Sequence, residues 1–383
     1  MVLTMRNTLL RVFFHFIRLR RPRIPSAPPV FLVLQYRIPL GCCVHATPIY
    51  AALKTAHPGC TIIAATRGLG HSVLQHDPNI DHLLNTPDPG TSFREVRNHA
   101  RLLREQLQRL NLRPTQILQD ASNRRGTLAL FALLLRLAPT KGFADIPQLY
   151  DTHITYDSSR SLIDNNLRLI SDAAPHVEPV VYFTTDDLAA ARSLLHAANS
   201  HEHPITAFVI QGSGAQPNNW HDDRFAELIR HVESVGHRTV FLGTHVEAEA
   251  INRIRTLAAS QGHTLAGRTT VPQLAALLCL CDVLVTVDTG TLHVGRAAQV
   301  PMIVLAPTWQ PAIEWLPLTV ANAIVLRGED NLLARADIPA DYRLDEISVA
   351  SAIDAFTQLD NHFPPSAHAH EQRIARLLSN TRS

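Results

Sequence analysis

Two apolar runs with a segment of small residues between them constrain the fold most strongly. The run VLVTV (283–287) is rich in β-branched residues, a pattern typical of a strand that is buried on both faces. It stops at Asp288, Thr289-Gly290 makes a turn, and small residues lead to a second run, MIVLA, that begins at Met302. The order strand, turn, helix, strand predicts two parallel strands joined by a crossover helix.

The turn between these runs also indicates a function. A strand that ends in Asp288-Thr289-Gly290, with a helix directly behind it, presents backbone N–H groups and the positive end of a helix dipole to an anion. Gly290 lacks a Cβ, so the backbone can approach a ligand closely. The same residues also fit an ordinary strand–turn–helix connection, and from these residues alone both interpretations stay open.

The alternation of apolar runs with helical patterns repeats along the chain. Strands are predicted at VFLVLQ (30–35) and TQILQD (115–120) in a first series, and at TAFVIQG (206–212) and TVFLG (239–243) in a second. Two such series predict an α/β fold of two Rossmann-like, doubly wound parallel-sheet domains that face a central ligand cleft. We expect four regions: a basic amphipathic N-terminal segment 1–24, a first domain 25–175, a second domain 176–345, and a C-terminal helix and tail 346–383.

The N-terminal segment alternates apolar and arginine residues. Its sequence, MVLTMRNTLLRVFFHFIRLRRPR, fits a helix that lies on an anionic membrane surface, and it fits equally a disordered basic tail, with Met5 as another possible initiator. No run in the chain reaches the ~18 apolar residues that a membrane-spanning helix needs. A peripheral contact with the inner membrane is therefore the membrane association that the sequence allows.

Charge and cysteine content exclude several classes of protein. The formal net charge of +2 gives no support for nucleic-acid binding. The five cysteines are odd in number and lack the spacing of a zinc site, so we expect no metal and reduced thiols in the cytoplasm.

Motifs in order over about residues 30–345 resemble glycosyltransferase family 9, the heptosyltransferases. The first half carries LVLQYRIPLGCCVHATPIYAALKTAHPGCTIIAAT (32–66) and HDPNIDHLL (76–84). The second half carries IQGSGAQPNNW (210–220) and FLGTHVEAE (241–249). The most specific block follows from residue 265: LAGRTTVPQLAALLCLCDVLVTVDTGTLHVGRAAQVPMIVLAPT.

The resemblance implies a GT-B architecture and an inverting sugar transfer that needs neither metal nor cofactor. The co-substrate would be a nucleotide diphosphate sugar, usually ADP-heptose, and the acceptor a lipid-anchored lipopolysaccharide core or another glycan at the cytoplasmic membrane face. The implied donor contacts are Asp288, Thr289 and Gly290 to the diphosphate, Ser213 and Gly214 in the phosphate loop, Glu247 to the ribose or base, and His293 near the donor. His293 fits a role in helix packing almost as well.

Two positions depart from the family pattern. The family's Gly-Asp turn reads Gly41-Cys42 here, so the expected carboxylate base is missing, and a neutral thiol cannot replace it. The family's lysine two residues before Trp220 is Asn218, which can only hydrogen-bond to the leaving group.

Three explanations of these departures remain open. His45 or Asp120 could act as the base in place of Cys42, with Arg268 or Arg296 supplying the missing positive charge. The donor or the acceptor could differ from the usual pair. The chain could also be a degenerate member that binds nucleotide or sugar and scarcely turns over. On the acceptor side, Lys141 and Arg124 could contact phosphates or acidic sugars, or could be solvated loop charges.

Overall fold

The computed structural model describes residues 28–36, 39–197, 203–212 and 219–379. The predicted N-terminal amphipathic segment and three predicted donor residues, Ser213, Gly214 and Asn218, lie outside these ranges. Contacts divide the chain into two compact units, Met1–Pro179 and Val180–Ser383. No helix of the described residues is both long enough and apolar enough to cross a bilayer.

The first unit is a six-stranded parallel sheet with the strand order β3-β2-β1-β4-β5-β6. Its strands are β1 (Val30–Gln35), β2 (Thr61–Thr66), β3 (His82–Asn85), β4 (Gln116–Gln119), β5 (Thr140–Gly142) and β6 (Thr152–His153). Its helices are α1 (Leu40–His45), α2 (Pro48–Ala56), α3 (Leu69–Leu74), α4 (Phe93–Arg109), α5 (Gly126–Leu135) and α6 (Leu162–Leu167).

Local sequence explains the best-defined elements of this unit. The central strand β1 is apolar and almost wholly buried, because β2 and β4 flank it and helices cover both faces. Helix α4 begins with a capping box in which Ser92 and Glu95 satisfy each other's backbone N–H groups. Its apolar residues face the core and its charged residues face solvent, with the spacing that is typical of a helix on the surface of a domain.

The second unit repeats this topology, with the strand order β12-β11-β10-β7-β8-β9. Its strands are β7 (Ile205–Val209), β8 (Arg238–Phe241), β9 (His263–Thr264), β10 (Val283–Val287), β11 (Met302–Leu305) and β12 (Ala323–Leu326). Its helices are α7 (Thr185–Ala197), α8 (Asp222–Ser234), α9 (Ala248–Ala258), α10 (Val271–Cys279), α11 (Gly290–Ala298), α12 (Ala312–Trp315), α13 (Val349–His362) and α14 (Ala367–Leu377). Two doubly wound parallel sheets confirm the fold class that the sequence predicts.

The C-terminal region forms two helices of the second unit. Helix α13 packs on α8, on β11 and on the edge strand β12. The polar stretch after residue 364 continues as α14, which Ser366 caps and which packs against α10. Beyond α14 the chain returns to pair Leu378 with Phe183.

Helix α11 packs closely on strand β10 at a glycine. A Cβ placed on Gly295 would come 2.4 Å from Cδ2 of Leu284, a side chain that is fully buried in β10. The absence of a side chain at this position therefore sets how near the helix lies to the sheet, and with it the position of the turn that precedes the helix.

Gly295→Ala is expected to lower the free energy of unfolding by about 1–3 kcal/mol, because the added methyl group overpacks a core with no room for it. Urea unfolding followed by circular dichroism measures the change. Gly126→Ala is the matched control, since Gly126 is also a helical glycine and an added Cβ would meet only the flexible end of Ile146 at 3.0 Å. Equal stability of the Gly295 variant and the control would contradict the close-packing account.

Candidate functional site

The predicted anion-binding turn of the second unit lies at the carboxyl end of β10. All five residues of β10 are buried, and Asp288 follows as the first polar residue, itself only 4% exposed. Thr289 caps α11, and its Oγ1 accepts a hydrogen bond from the N–H of Thr291 at 3.2 Å. The sequence therefore correctly predicts a strand that leads through Asp288 and Thr289 into a helix N-terminus.

The Asp288 carboxyl is held inside the unit rather than presented to solvent. Burial raises its pKa to about 6, against the hydrogen bond from Gln310 and the positive charge of Arg327, which lower it. Gln310 Nε2 donates to Asp288 Oδ2, and Arg327 donates to the Gln310 carbonyl at 3.3 Å. These contacts fix the side chain, so the groups that would meet a diphosphate are the backbone N–H groups of the turn.

Gln310 and Arg327 are residues that sequence reasoning missed. Gln310 comes in the loop after β11 and Arg327 directly follows β12, so both lie at the same carboxyl edge as Asp288. A search for polar residues in the loop after the predicted strand MIVLA would have found Gln310, whereas Arg327 follows a strand that is not among those predicted.

His293 lies one turn into α11 and is 4% exposed. Burial, reinforced by the positive charge of Arg296, lowers its pKa to about 3. The ring is therefore neutral at physiological pH and lies 6.3 Å from the ring of Trp315. From the sequence, His293 fits either a contact with the donor or a role in helix packing. Its burial favours the role in packing. Arg296, considered as a substitute charge, is also buried at 4% exposure, whereas Arg268 is exposed.

Glu247 serves as a capping residue. Its Oε2 accepts hydrogen bonds from the backbone N–H and the Oγ1 of Thr244, both at 2.6 Å, at the start of the short 3₁₀ helix His245–Glu247. This capping box holds the connection between β8 and α9. A contact of Glu247 with a ribose or base would have to use the remaining oxygen.

The predicted catalytic residues of the first unit lie at the carboxyl ends of β1 and β4. Cys42 and His45 are on α1 and are only 4% and 0% exposed, so His45 does not lie on an exposed face of its helix. Asp120 follows β4 and is fully buried, with its Oδ1 accepting from the N–H and the Oγ of Ser122 at 3.1 and 2.7 Å. Burial first, and then the charges of Cys42 and Asp120, raise the pKa of Cys43, so this thiol stays neutral.

Asn166 ties these two strand ends together. Its Nδ2 donates to the His45 carbonyl at 2.9 Å, and its Oδ1 accepts from the N–H of Ala121 at 2.8 Å. Asn166 is on α6, more than 120 residues beyond His45, and is fully buried. No sequence pattern indicates this contact.

Two buried glutamine–tyrosine pairs hold the same strand ends in place through hydrogen bonds. Tyr50 donates to Gln35 Oε1 at 2.7 Å while Gln35 Nε2 donates to the Cys43 carbonyl at 3.0 Å. In the same way Tyr150 donates to Gln119, whose Nε2 donates to the carbonyl of Phe143 at 3.1 Å. Burial raises the pKa of both tyrosines, and the negative charge of Asp120 raises each further, so the carboxylate lies near both pairs.

The two predicted acceptor-side cations are in different surroundings. Lys141 is half-buried in β5, where burial lowers its pKa and the nearby Asp172 carboxylate opposes that shift. Arg124 follows β4, and its guanidinium carbon lies 3.9 Å from the centroid of the Tyr156 ring, a cation–π contact. Among the residues described, no group of three or more His, Cys, Asp or Glu side chains could hold a metal ion.

The chain is similar in sequence to known proteins. The sequence model of glycosyltransferase family 9 (heptosyltransferase) matches residues 148–332. Lipopolysaccharide heptosyltransferase 2 of Salmonella typhimurium is 29% identical over 110 residues, 28% of this chain and 32% of that protein, so the alignment spans about a third of this curated relative.

Solved structures share the whole fold. The glycosyl transferase family 9 protein from Veillonella parvula superposes with a TM-score of 0.78 at 19% identity, covering 89% of this chain and all of that one. The ADP-heptose lps heptosyltransferase II of E. coli gives a TM-score of 0.70 at 17% identity over 87% of this chain and 99% of that one. The chain therefore resembles glycosyltransferase family 9 in sequence over residues 148–332 and in fold over most of its length.

Asp288→Asn is expected to remove a pH dependence of stability. The Asp288 carboxyl has a pKa of about 6 in the folded chain and an ordinary value of 3.8, so the folded state binds more protons between these values. Stability therefore falls as pH rises through this window, by about 3 kcal/mol in total. The free energy of unfolding of Asp288→Asn, relative to that of the unchanged chain, should therefore rise by roughly 2–3 kcal/mol from pH 4 to pH 7. Urea unfolding at each pH measures this difference.

Asp354→Asn on α13 is the control, since Asp354 is exposed. A stability difference between Asp288→Asn and the unchanged chain that stays constant with pH would show that the Asp288 carboxyl does not carry this proton.

Proposed function

We propose that this chain is a glycosyltransferase of family 9, an inverting, metal-independent enzyme that moves a sugar, most simply a heptose, from an ADP-linked donor to a lipopolysaccharide-core-like glycan. The observation that carries the proposal is the β10–α11 connection, which aims a helix N-terminus along the carboxyl edge of the sheet. The nine-residue helix α11 supplies backbone N–H groups and a positive dipole end to the donor diphosphate. The E. coli relative whose name includes ADP-heptose supports the choice of donor.

In this reaction an acceptor hydroxyl attacks the sugar C1, the C1–O bond to the diphosphate breaks, and a base takes the hydroxyl proton. The nucleoside diphosphate leaves with the bonding electrons. Neutralisation of the leaving group falls to the N–H groups of the turn, since His293 is neutral and Asn218 stands where the family has a lysine. Peripheral attachment at the cytoplasmic membrane face belongs to the same proposal and rests on the basic segment 1–24.

We assign the base to Asp120 rather than to His45 or Cys42. Asp120 is the carboxylate at the end of β4, beside the β1–α1 connection where the family has its Gly-Asp turn. Ser122 fixes one of its oxygens, and Asn166 holds the adjoining backbone against α1. His45 is fully buried on α1, and Cys42 offers a thiol in place of a carboxylate.

A second candidate function is binding without turnover. It is favoured by the loss of the carboxylate at Cys42 together with the burial of Asp120, because a base must reach the acceptor hydroxyl. Such a chain would retain the donor turn and bind a nucleotide or sugar as a scaffold.

Nucleotide binding is tested by a thermal-shift panel of ADP, UDP, GDP, CMP and ADP-heptose. We expect a selective shift with the ADP species, equivalent to about 2.7 kcal/mol at 100 times the dissociation constant. Gly290→Val should abolish it by blocking approach to the turn, whereas Gly126→Val, at the first residue of α5, should leave it intact. A selective shift with another nucleotide would reassign the donor to that nucleotide. The absence of a shift with every nucleotide tested would contradict the donor site.

The assignment of the base is tested by turnover of Asp120→Asn. We expect kcat to fall by about 10²–10⁴-fold with an unchanged ADP shift, because the base acts on the acceptor and not on the donor. Cys42→Ala should retain kcat within a few-fold. Asp77→Asn is the matched control, a second buried aspartate of the same unit whose carboxylate binds Asn79. A full loss in Cys42→Ala with activity kept in Asp120→Asn would overturn the assignment, and no turnover in the unchanged chain would favour the scaffold.

A further inference from the structure

A cavity of about 790 Å³ lies at the amino edge of the second sheet, opposite the donor turn. Its walls include Asp282, Pro301 and Asn322, which directly precede β10, β11 and β12. Helix α14 closes it with Gln372, Arg373 and Arg376. None of these residues takes part in the proposed transfer.

Arg373 is a charged group buried in the wall of this cavity. The residue is 8% exposed, and its Nε has no hydrogen-bond partner among the described residues. Burial lowers the pKa of the guanidinium, while the nearby Cys279, Cys281 and Asp282 oppose that shift, and an arginine remains charged under such conditions. A buried charge with an unused donor is costly unless something pairs with it.

The nearest carboxylate is already engaged by other groups. Asp282 Oδ2 accepts from the backbone N–H of Ile205 at 2.8 Å, and Oδ1 lies 2.9 Å from Nε2 of His370. It forms no ion pair with Arg373 within the described part of the chain. The positive charge of the cavity therefore exceeds what its own carboxylate balances.

A second arginine adds to this excess. Arg376 donates through Nη2 to the Ala297 carbonyl, and Asn322 donates to the Gln299 carbonyl at 2.8 Å. Both carbonyls belong to the C-terminal end of α11, which carries a partial negative charge. This partial charge offsets only part of the full positive charge of Arg376. The wall of the cavity is thus rich in N–H donors and positive charge, while Phe363, Pro364 and Val320 give it an apolar side.

We propose that this cavity binds a phosphate monoester, with its phosphate on the Arg373 guanidinium and its carbon portion against the apolar side. A guanidinium presents paired N–H donors that match the oxygens of a phosphate group. The volume far exceeds one phosphate ion, so the ligand carries an organic part. The site is separate from the donor turn, because about 13 Å of helix α11 lies between them.

Calorimetric titration with glycerol 3-phosphate tests the proposal directly. The chain should bind the ester, and Arg373→Met should bind it at least ten-fold more weakly. Gln372→Glu should also weaken binding, because it adds a negative charge at an exposed position of the same wall without altering the fold. Arg253→Met on α9 is the control, since Arg253 is a half-exposed arginine whose pairs are Asp222 and Glu249.

The titration is repeated on Gly290→Val, so that binding at the donor turn is not counted. Failure of the proposed donor site would appear in the thermal-shift panel, as no ADP shift in the unchanged chain or as a shift that Gly290→Val retains. Either result would leave the glycerol 3-phosphate titration unchanged. Flotation with vesicles of phosphatidic acid or phosphatidylcholine separates two sources of the phosphate: retention on phosphatidic acid, lost in Arg373→Met, would assign it to a lipid headgroup. Equal binding by Arg373→Met and the unchanged chain, or no binding of ester and vesicle alike, would overturn the proposal.

Discussion

Strands that are buried on both faces exclude charged side chains, so charged groups lie beyond the strand ends. All five residues of β10 are buried, and the first polar group after them is Asp288. In the first unit β4 likewise runs into Asp120. Parallel strands end at the same edge of a sheet, so this constraint gathers the reactive and binding groups of each unit along its carboxyl edge.

Helix α11 connects this constraint to the proposed chemistry. Gly295 sets its distance from β10, and Thr289 caps its first turn. Its far end is closed by Arg376 and Asn322 from the cavity wall. Because packing and caps fix the helix at both ends, the N–H groups of its first turn are preorganised and require little rearrangement to meet a diphosphate.

The sequence predicts the parts of the fold that follow from local pattern. The apolar runs VFLVLQ (30–35) and VLVTV (283–287) form β1 and β10 with the bounds that the sequence predicts, since the pattern of a buried strand is a local property. The short edge strands β6 and β9 have two residues each and too little pattern to predict. The polar residues after 364 give no sign that they continue as α14, because its stability comes from packing on α10.

The site is less accessible to sequence reasoning, because its contacts join distant parts of the chain. The turn at Asp288 could be predicted, but its bond with Gln310 joins residues 22 positions apart, and Asn166 reaches His45 across 121 positions. The burial of His45 and His293 likewise depends on tertiary packing rather than on helical spacing. Cys42 and Asn218, by contrast, can be read from the sequence alone as positions where the chain departs from the pattern of the family that it resembles.

The claim on which the rest depends is that the first turn of α11 holds the donor diphosphate. Hydrogen–deuterium exchange of the chain with and without ADP measures this at the backbone N–H groups concerned. The account predicts slower exchange at residues 289–292 when ADP is bound and no change at the start of α5, residues 126–129. ADP binding that leaves the exchange of residues 289–292 unaltered would contradict it.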